Sequence, residues 1–482
     1  MKLRLNHRII LSLLVLLIGW NHRAAGENLL SVPADQEIMA RSWATTLAPC
    51  TPGKTYLFQA DLFRDHWGSG IYAYAWAWGQ RRRLDSHLQS GRYQPIQALF
   101  TCPEKSETQS LFIFQNPHPD FVFRMRNPVL EEVPAVNRNP AALPGFFKDR
   151  FGIGFYGVHT VADLEAIHKL AANAVLLSGS AKNLEEMIAA CNRLGLAYVL
   201  STPHDPEGIA SFADRIKDLV RRDRLAFYVN DEPEIRSVPV VGVVQTRQLL
   251  KKRFGDIATC MATVRPIGAY IYRDGADYFM SDQYPVPSMP MTWLGDSMDE
   301  IAAVVGRQRL ASVIQAFGGE SWAGNWPRLP TWQEMDALAM LSVLHGSRAI
   351  FFFSWSYIEK TEESRADIGR VIGRLNHIYP WLREEASLPK PEVTMLSTYR
   401  YDARGKAAVQ CGRRNRNGKQ LLLCVNTTST HVETLVQPGD ATNNNTTDAW
   451  QALFTGTTIH EETGQLHLFF DPYETMALTR KP

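Results

Sequence analysis

The heptapeptide Tyr228-Val229-Asn230-Asp231-Glu232-Pro233-Glu234 holds two adjacent carboxylates and a third two residues on, with a proline stiffening the turn between them. Neighbouring negative charges repel, so Asp231 raises the proton affinity of Glu232 and keeps it protonated near neutrality. A carboxylic acid in that state can give its proton to a leaving oxygen, which is what glycosidic bond cleavage demands. The ordinary alternative is a salt-bridged loop, with Arg236 as the partner. What weighs for chemistry is the address: the heptapeptide closes one of a series of apolar runs that alternate with helical patterns.

Eight such runs lie within residues 146–387, the sequence form of a (β/α)8 TIM barrel. Strands are expected at 152–158, 174–177, 197–201, 225–229, 257–263, 278–280, 312–316 and 349–354. Helical spacing fills 164–170, 184–194, 212–220, 248–254, 298–305 and 333–344, with a last helix over 368–379 ahead of Pro380. Residues 266–275 are short for a helix, so the unit between strands five and six is expected to be degenerate. In barrels of this kind the chemistry sits on the loops after the strand carboxyl ends.

Those loops supply His159, Ser178, His204 and Asp205, then Asn230 to Glu234, Arg265, Asp282 and Tyr284, Gln315 and Glu320, and Trp355 and Tyr357. Trp322 and Trp326, set among Gly318, Gly319 and Gly324, form an aromatic loop over the same cleft. Flat rings with a polar edge suit a sugar, and the polar, aromatic mouth fits an oligo- or polysaccharide. His159, His204 and Asp205 have no metal-ligand spacing. There is no Gly-x-Ser-x-Gly elbow, His-Glu-x-x-His pair or Gly-rich phosphate loop. Neither metal nor cofactor is expected.

The flanks read differently. Residues 27–131 form an expected β-sandwich, with strand-like runs at 56–63, 111–114 and 121–125. Between them 71–78 alternates strictly: Tyr72, Tyr74, Trp76 and Trp78 on one face, Ile71, Ala73, Ala75 and Ala77 on the other. The aromatic stripe reads as the sheet's inner face, with a sugar-stacking platform as the second reading. The segment resembles the jelly-roll carbohydrate-binding modules that precede glycosidase barrels. Residues 132–145, with Pro134, Pro140, Pro144 and Gly145, read as a linker. Residues 388–482 return to strands, at 421–425, 465–469 and 476–478, and form a small β-sandwich expected to pack against the barrel's side.

Residues 1–26 carry Lys2, Arg4 and Arg8, an apolar stretch over 9–20, and Ala24-Ala25-Gly26 before Glu27. That is a signal peptide pattern, and its apolar stretch is shorter than the roughly 20 residues that span a bilayer. Export to the periplasm or beyond, with no stable membrane insertion after cleavage, is the expectation; an uncleaved anchor is the alternative. Export permits disulfides. Cys50 and Cys102 fall inside one β-domain and are expected to pair. Asn417-Gly418 is a two-residue hairpin turn that sets Arg416 against Lys419 and, five pairs out, Cys411 against Cys424. As a non-hydrogen-bonded pair they sit about 4.5 Å apart at Cα, the short end of what a disulfide accepts. Cys191 and Cys260 read as buried thiols. Composition is globular, 45% apolar and 21% charged, with 12 Trp. A formal charge of +2 without a basic stripe gives no support to nucleic-acid binding.

Asn230 and Glu232 at the end of strand four, with Trp355 after strand eight, resemble clan A of the retaining glycoside hydrolases, with Asp231 as an extra residue. That resemblance implies a glutamate nucleophile ending strand seven. The matching place reads Val313-Ile314-Gln315-Ala316-Phe317, and Glu320 lies beyond it. The Asp-Glu pair resembles instead the β-N-acetylhexosaminidases of glycoside hydrolase families 20 and 123. This second resemblance implies that the substrate's 2-acetamido group attacks, that Asp231 orients it, and that Glu232 is the acid/base. No strand-seven glutamate is then needed. Family 123 also places a β-domain before its barrel and a small one after. The sequence thus points to an exported glycoside hydrolase with Glu232 and Asp231 catalytic and Glu320 the nucleophile of the clan A alternative. Asn230, His159, His204, Asp282, Tyr284, Gln315, Trp322, Trp326, Trp355 and Tyr357 are the expected substrate contacts. A barrel that binds envelope polysaccharide without cleaving it is the rival, and Gln315 is the residue favouring it.

Overall fold

Strands that bury both faces need apolar residues at every position, whereas strands with one wet face alternate; both kinds are present. The structure, a computed structural model, describes residues 30, 35–38, 42–64, 73–78, 80–84, 91–102, 109–116, 122–133, 150–236, 238–322, 324–383, 390–402, 405–439 and 449–480. The expected signal segment, all but the first two residues of the expected linker, Ile71 and Tyr72 lie outside them. Two compact units divide the chain at residue 134.

Among its described residues the first unit holds eight antiparallel strands: β1 (Asp35–Ile38), β2 (Ser42–Pro49), β3 (Thr55–Arg64), β4 (Tyr74–Ala77), β5 (Gln80–Arg83), β6 (Tyr93–Thr101), β7 (Gln109–Asn116) and β8 (Phe123–Glu132). They form two sheets, ordered β1-β8-β3-β6 and β2-β7-β4-β5, a jelly-roll type of sandwich. Phe58, Phe100, Phe112 and Phe114 meet between the sheets with centroids 5.1–5.2 Å apart. The aromatic stripe is corrected here. Ala73, Ala75 and Ala77 face inward, because the facing phenylalanines already fill the core and leave room only for methyl groups. Tyr74 and Trp76 are half-exposed on the outer face. The Arg81 guanidinium lies 4.7 and 5.4 Å from their ring centroids. Trp78 leaves the stripe at a left-handed turn (φ 50°) and goes into the core.

The second unit begins with a closed barrel of eight parallel strands: β9 (Gly152–Phe155), β10 (Ala174–Leu177), β11 (Ala197–Ser201), β12 (Leu225–Asp231), β13 (Ala258–Thr263), β14 (Tyr278–Gln283), β15 (Leu310–Gln315) and β16 (Ala349–Phe353). Its interior packs Ala174, Ala197, Val199, Ala226, Cys260, Ala311, Val313 and Phe351. Helices intervene as expected, and several start earlier than the apolar pattern shows. Asp205 caps the helix Pro206–Ile216 by accepting from the Gly208 amide, six residues before the expected start. The unit after β13 is short, a six-residue helix Pro266–Ile271. Two strands run past their expected ends. β12 extends to Asp231 and β14 to Gln283, so Asp231 and Asp282 are held by sheet hydrogen bonding rather than by free loops.

The remaining strands, β17 (Glu392–Met395), β18 (Val409–Arg416), β19 (Lys419–Asn426), β20 (Val432–Gln437), β21 (Ala449–Ala452), β22 (Thr458–His460), β23 (Leu466–Phe470) and β24 (Thr475–Arg480), make two antiparallel sheets over one core. They pack on the barrel helices, where Arg414 donates to the Val343 carbonyl and Arg374 to that of Thr475. The hairpin register is the expected one, with Arg416 facing Lys419 and Cys411 facing Cys424. Both disulfides form, with Cα separations of 5.8 Å for Cys50–Cys102 and 4.2 Å for Cys411–Cys424. Cys191 and Cys260 are buried free thiols. No helix among the described residues is long and apolar enough to cross a membrane.

The two bridges close loops of unequal length, spanning 52 and 13 residues. Chain entropy makes the longer one worth about 1 kcal/mol more. Replacing Cys50 and Cys102 by serine is expected to lower stability more than replacing Cys411 and Cys424. Calorimetry of the two double variants, resolving each unit, checks the order.

Candidate active site

A strand that kept strict alternation would turn Asp231 away from its neighbours on either side. Two irregularities at the end of β12 prevent this. Pairing with β13 slips between Tyr228 and Asn230, and Glu232 adopts a left-handed φ of 48°. Bulges and positive φ values at non-glycine residues re-aim side chains at a local cost. Here they turn Asn230, Asp231 and Glu232 toward one cavity of about 680 Å³ at the carboxyl end of the barrel. The turn is closed by the Ile235 and Arg236 amides, both donating to the Glu232 carbonyl.

Three carboxyl groups meet in that cavity. Asp231 accepts from the Tyr228 hydroxyl at 2.5 Å and from the Arg236 guanidinium at 2.5 Å, so the salt-bridged loop does form. Glu232, Asp282 and Tyr284 line the cavity together, and Glu232 and Asp282 each act on the other's proton affinity. Burial raises the Glu232 carboxyl above its ordinary range and the Asp231 charge adds to this, against the hydrogen bond from Asp282 and the nearby Arg236 cation. Burial pushes Asp282 well up, and the charges of Glu232 and Asp231 act in the same direction. The pair therefore holds a proton at pH values where separate carboxyls have lost theirs. Tyr156 and Tyr228, buried at the base of the cavity and 6.0 Å apart edge to face, stay neutral for the same reason.

Aromatic rings form one wall. Phe317 packs tilted against Trp322 with ring centroids 4.5 Å apart and edge-on to Tyr284 at 4.9 Å, and Trp326 packs on both Phe317 and Trp322. Hydrogen bonds fix the indoles: Trp322 Nε1 donates to the Tyr357 hydroxyl at 2.6 Å and Trp326 Nε1 to the Tyr284 carbonyl at 3.1 Å.

Of the residues expected at the mouth, Asn230, Asp231, Glu232, His204, Asp282, Tyr284, Trp322 and Trp326 line the cavity. The others do not. Gln315 is fully buried and clamps Val286 through that residue's amide and carbonyl, at 3.0 and 2.9 Å. Glu320 is exposed on the short 3-10 turn Glu320–Trp322. Trp355 is buried edge-on against Phe155, and Tyr357 stands behind Trp322. His159 offers its backbone to Asp163 and Asn183. Ser178 bonds Ser180, and Asp205 is a helix cap. The Arg265 amide serves Glu234.

Tyr156, Thr202, Tyr228, Trp293, Phe317 and Phe353 line the cavity without having been expected. Tyr228 was within reach of the sequence, since it shares inward parity with Ala226 and Asn230. Trp293 was not, because the loop before its helix gives no pattern.

No family model matches the chain, and no curated protein matches it. Similar solved structures include an α-amylase from Geobacillus thermoleovorans complexed with acarbose, at TM-score 0.49 and 10% identity over 70% of this chain and 99% of that one. A β-L-arabinopyranosidase from Geobacillus stearothermophilus, in complex with arabinose, has TM-score 0.47 and 9% identity over 71% and 99%. An α-galactosidase from Mortierella vinacea has TM-score 0.45 and 10% identity over 69% and 97%. At such values no residue role passes from those proteins to this chain.

Asp282 gives a test of the electrostatics without a substrate. Its folded pKa lies above the unfolded value of 3.8, so the folded state binds the extra proton. Its contribution to stability is complete below the unfolded pKa and is lost as pH rises through the folded one. Asp282→Asn, which has no proton to lose, is expected to melt higher than the parent at pH 8. The gain should close as the pH falls to about 4. Thermal melts across that range check it; equal differences at every pH would refute the assignment.

Proposed function

We propose that the chain is a glycoside hydrolase in which Glu232 is the general acid/base and Asp231 orients the attacking group. The observation carrying this reading is the raised Glu232 carboxyl beside Asp231 and Asp282, set against an aromatic wall at the barrel mouth. Glu232 would protonate the glycosidic oxygen as its bond to the anomeric carbon breaks. The substrate's 2-acetamido oxygen would close on that carbon, its N–H held by Asp231. Glu232, now a carboxylate, would then take a proton from the water that reopens the ring. The preferred substrate is thus a glycan bearing a 2-acetamido sugar, as the resemblance to families 20 and 123 implies.

The cavity lining supports the substrate-assisted form: Asp231 adjoins Glu232 there, and no strand-seven carboxylate lines the cavity. The clan A alternative lacks support, since Glu320 is exposed and outside the cavity lining and Gln315 is occupied with Val286. Export is part of the proposal, supported by the signal pattern and by two disulfides. So is a glycan-handling role for the first domain, supported by the outward Tyr74 and Trp76.

With an aryl N-acetyl-β-glucosaminide as probe, Glu232→Gln is expected to lose least on substrates whose leaving group needs no proton. Asp231→Asn should cut turnover broadly, by about 10²-fold or more, and Glu320→Gln should be silent. Hydrolysis of plain glucosides with Glu320 essential would overturn the substrate-assisted reading. Inactivity of the parent protein on all aryl glycosides would favour the binding-only rival.

A further inference from the structure

The third carboxylate of the heptapeptide has no part in the chemistry above, yet it is among the most enclosed acids of the protein. Glu234 is 8% exposed. Its Oε1 accepts from two successive amides, Val264 at 2.7 Å and Arg265 at 2.9 Å, at the end of β13. Its Oε2 is buried and has no hydrogen-bond partner among the described residues. Gly268 lies so close that a Cβ there would come within 2.7 Å of the carboxyl carbon. The Tyr272 hydroxyl closes the other side, reaching the Pro233 carbonyl at 3.2 Å and the Val238 carbonyl at 2.6 Å. Val264 itself lines the cavity.

We propose that Glu234 is a positioning residue for Glu232: its carboxyl bolts the turn after β12 to the end of β13 and so holds the acid in the cavity it shares with Asp231 and Asp282. The proposal rests on Glu232 being the acid/base of the proposed function. The physical need is local. The left-handed φ at Glu232 stores strain, and a strained turn persists only where surrounding contacts over-determine it. The bond from Glu234 to β13 and the bond from Tyr272 to the same turn supply those contacts on two sides.

The clamp also avoids adding a third negative charge to the cavity. Burial holds the Glu234 carboxyl up to about 7, against the two amide bonds that lower it, with the Glu232 charge raising it further. The groups facing it are Glu232 on its own turn, Tyr272 beside it, and the amides of Val264 and Arg265. Tyr272 is pushed up to about 12 and stays neutral. Below neutrality Glu234 is a neutral acid whose carbonyl oxygen still accepts both amides, a role that a glutamine reproduces.

The experiment compares Glu234→Ala with Glu234→Gln in the full chain. In the alanine variant kcat on an aryl N-acetyl-β-glucosaminide is expected to fall about 10²-fold with KM little changed, as for a misplaced catalytic group. Carboxyl carbon NMR should show the Glu232 titration moving down toward the ordinary glutamate range as the carboxyl loses its burial beside Asp231. The glutamine variant should keep both near the parent values, and the parent's own transition near 7 should vanish. Thermal melts separate this from simple unfolding. An alanine variant with unchanged turnover and Glu232 titration, or a glutamine variant as damaged as the alanine one, would overturn the proposal. If the parent cleaves no aryl glycoside, the catalytic reading fails alone, and the Glu232 titration still decides whether Glu234 positions it.

Discussion

The rest of the site depends on one constraint, the gathering of the Glu232, Asp282 and Asp231 carboxyl groups in one buried cavity. Two carboxylates cannot be brought together in a low-dielectric cavity with both charges present, so the pair must retain a proton. Everything around it serves that end. Tyr284 lines the cavity with Asp282, and burial withholds water from them. Arg236 limits the charge of Asp231, which would otherwise be the third anion in the cluster. The arrangement is costly for stability, because the unfolded chain would ionise both groups in water. A fold keeps such a cluster only where the framework around it is strong.

That framework is the barrel. Its interior carries Ala174, Ala197, Ala226, Ala258, Ala311 and Ala349 near the strand starts, while Tyr156, Tyr228, Tyr284 and Phe353 gather toward the mouth. Small residues at the base let the eight strands close tightly, while Tyr156, Tyr228 and Phe353 fill the wider end and leave the cavity above them. Extension of β12 and β14 past their apolar runs puts Asp231 and Asp282 on hydrogen-bonded strand ends. Side chains held by a sheet keep their geometry better than those on a loop, which a proton-sharing contact requires.

The barrel was legible because its signal is redundant: eight apolar runs, each separated by a helical pattern, leave little room for another architecture. The hairpin register was legible from a single dipeptide, Asn417-Gly418, since the turn type dictates the pairing of every residue beyond it. That Glu232 and Asp231 face the barrel mouth was legible by address. Asp282 was placed at the mouth but not grouped with Glu232, because sequence spacing says nothing about which loops converge across a barrel. The aromatic stripe of β4 misled for a related reason. Alternation shows that two faces differ, but which one is buried depends on the facing sheet, whose phenylalanines already fill the core. Gln315 and Trp355 sat at mouth addresses and proved to be buried supports, since the last strand residue can point into the wall as readily as into the cavity.

Gln315 bears on the chemistry in another way. A glutamate at that point, fully buried and against the Val286 backbone, would face a carbonyl that repels its charge where the amide now donates. The glutamine uses both ends, accepting from the Val286 amide and donating to its carbonyl, and so fixes the chain between Tyr284 and the helix bearing Trp293. The position that could have carried a nucleophile is spent on holding two aromatic walls in place. A site built this way gathers Asp231, Glu232 and Asp282 at its mouth, with no strand-seven carboxylate among the residues that line it. If it cleaves glycosidic bonds, the attacking oxygen must come from elsewhere, and a neighbouring acetamido group on the sugar is the nucleophile that a cavity of this shape asks of its substrate.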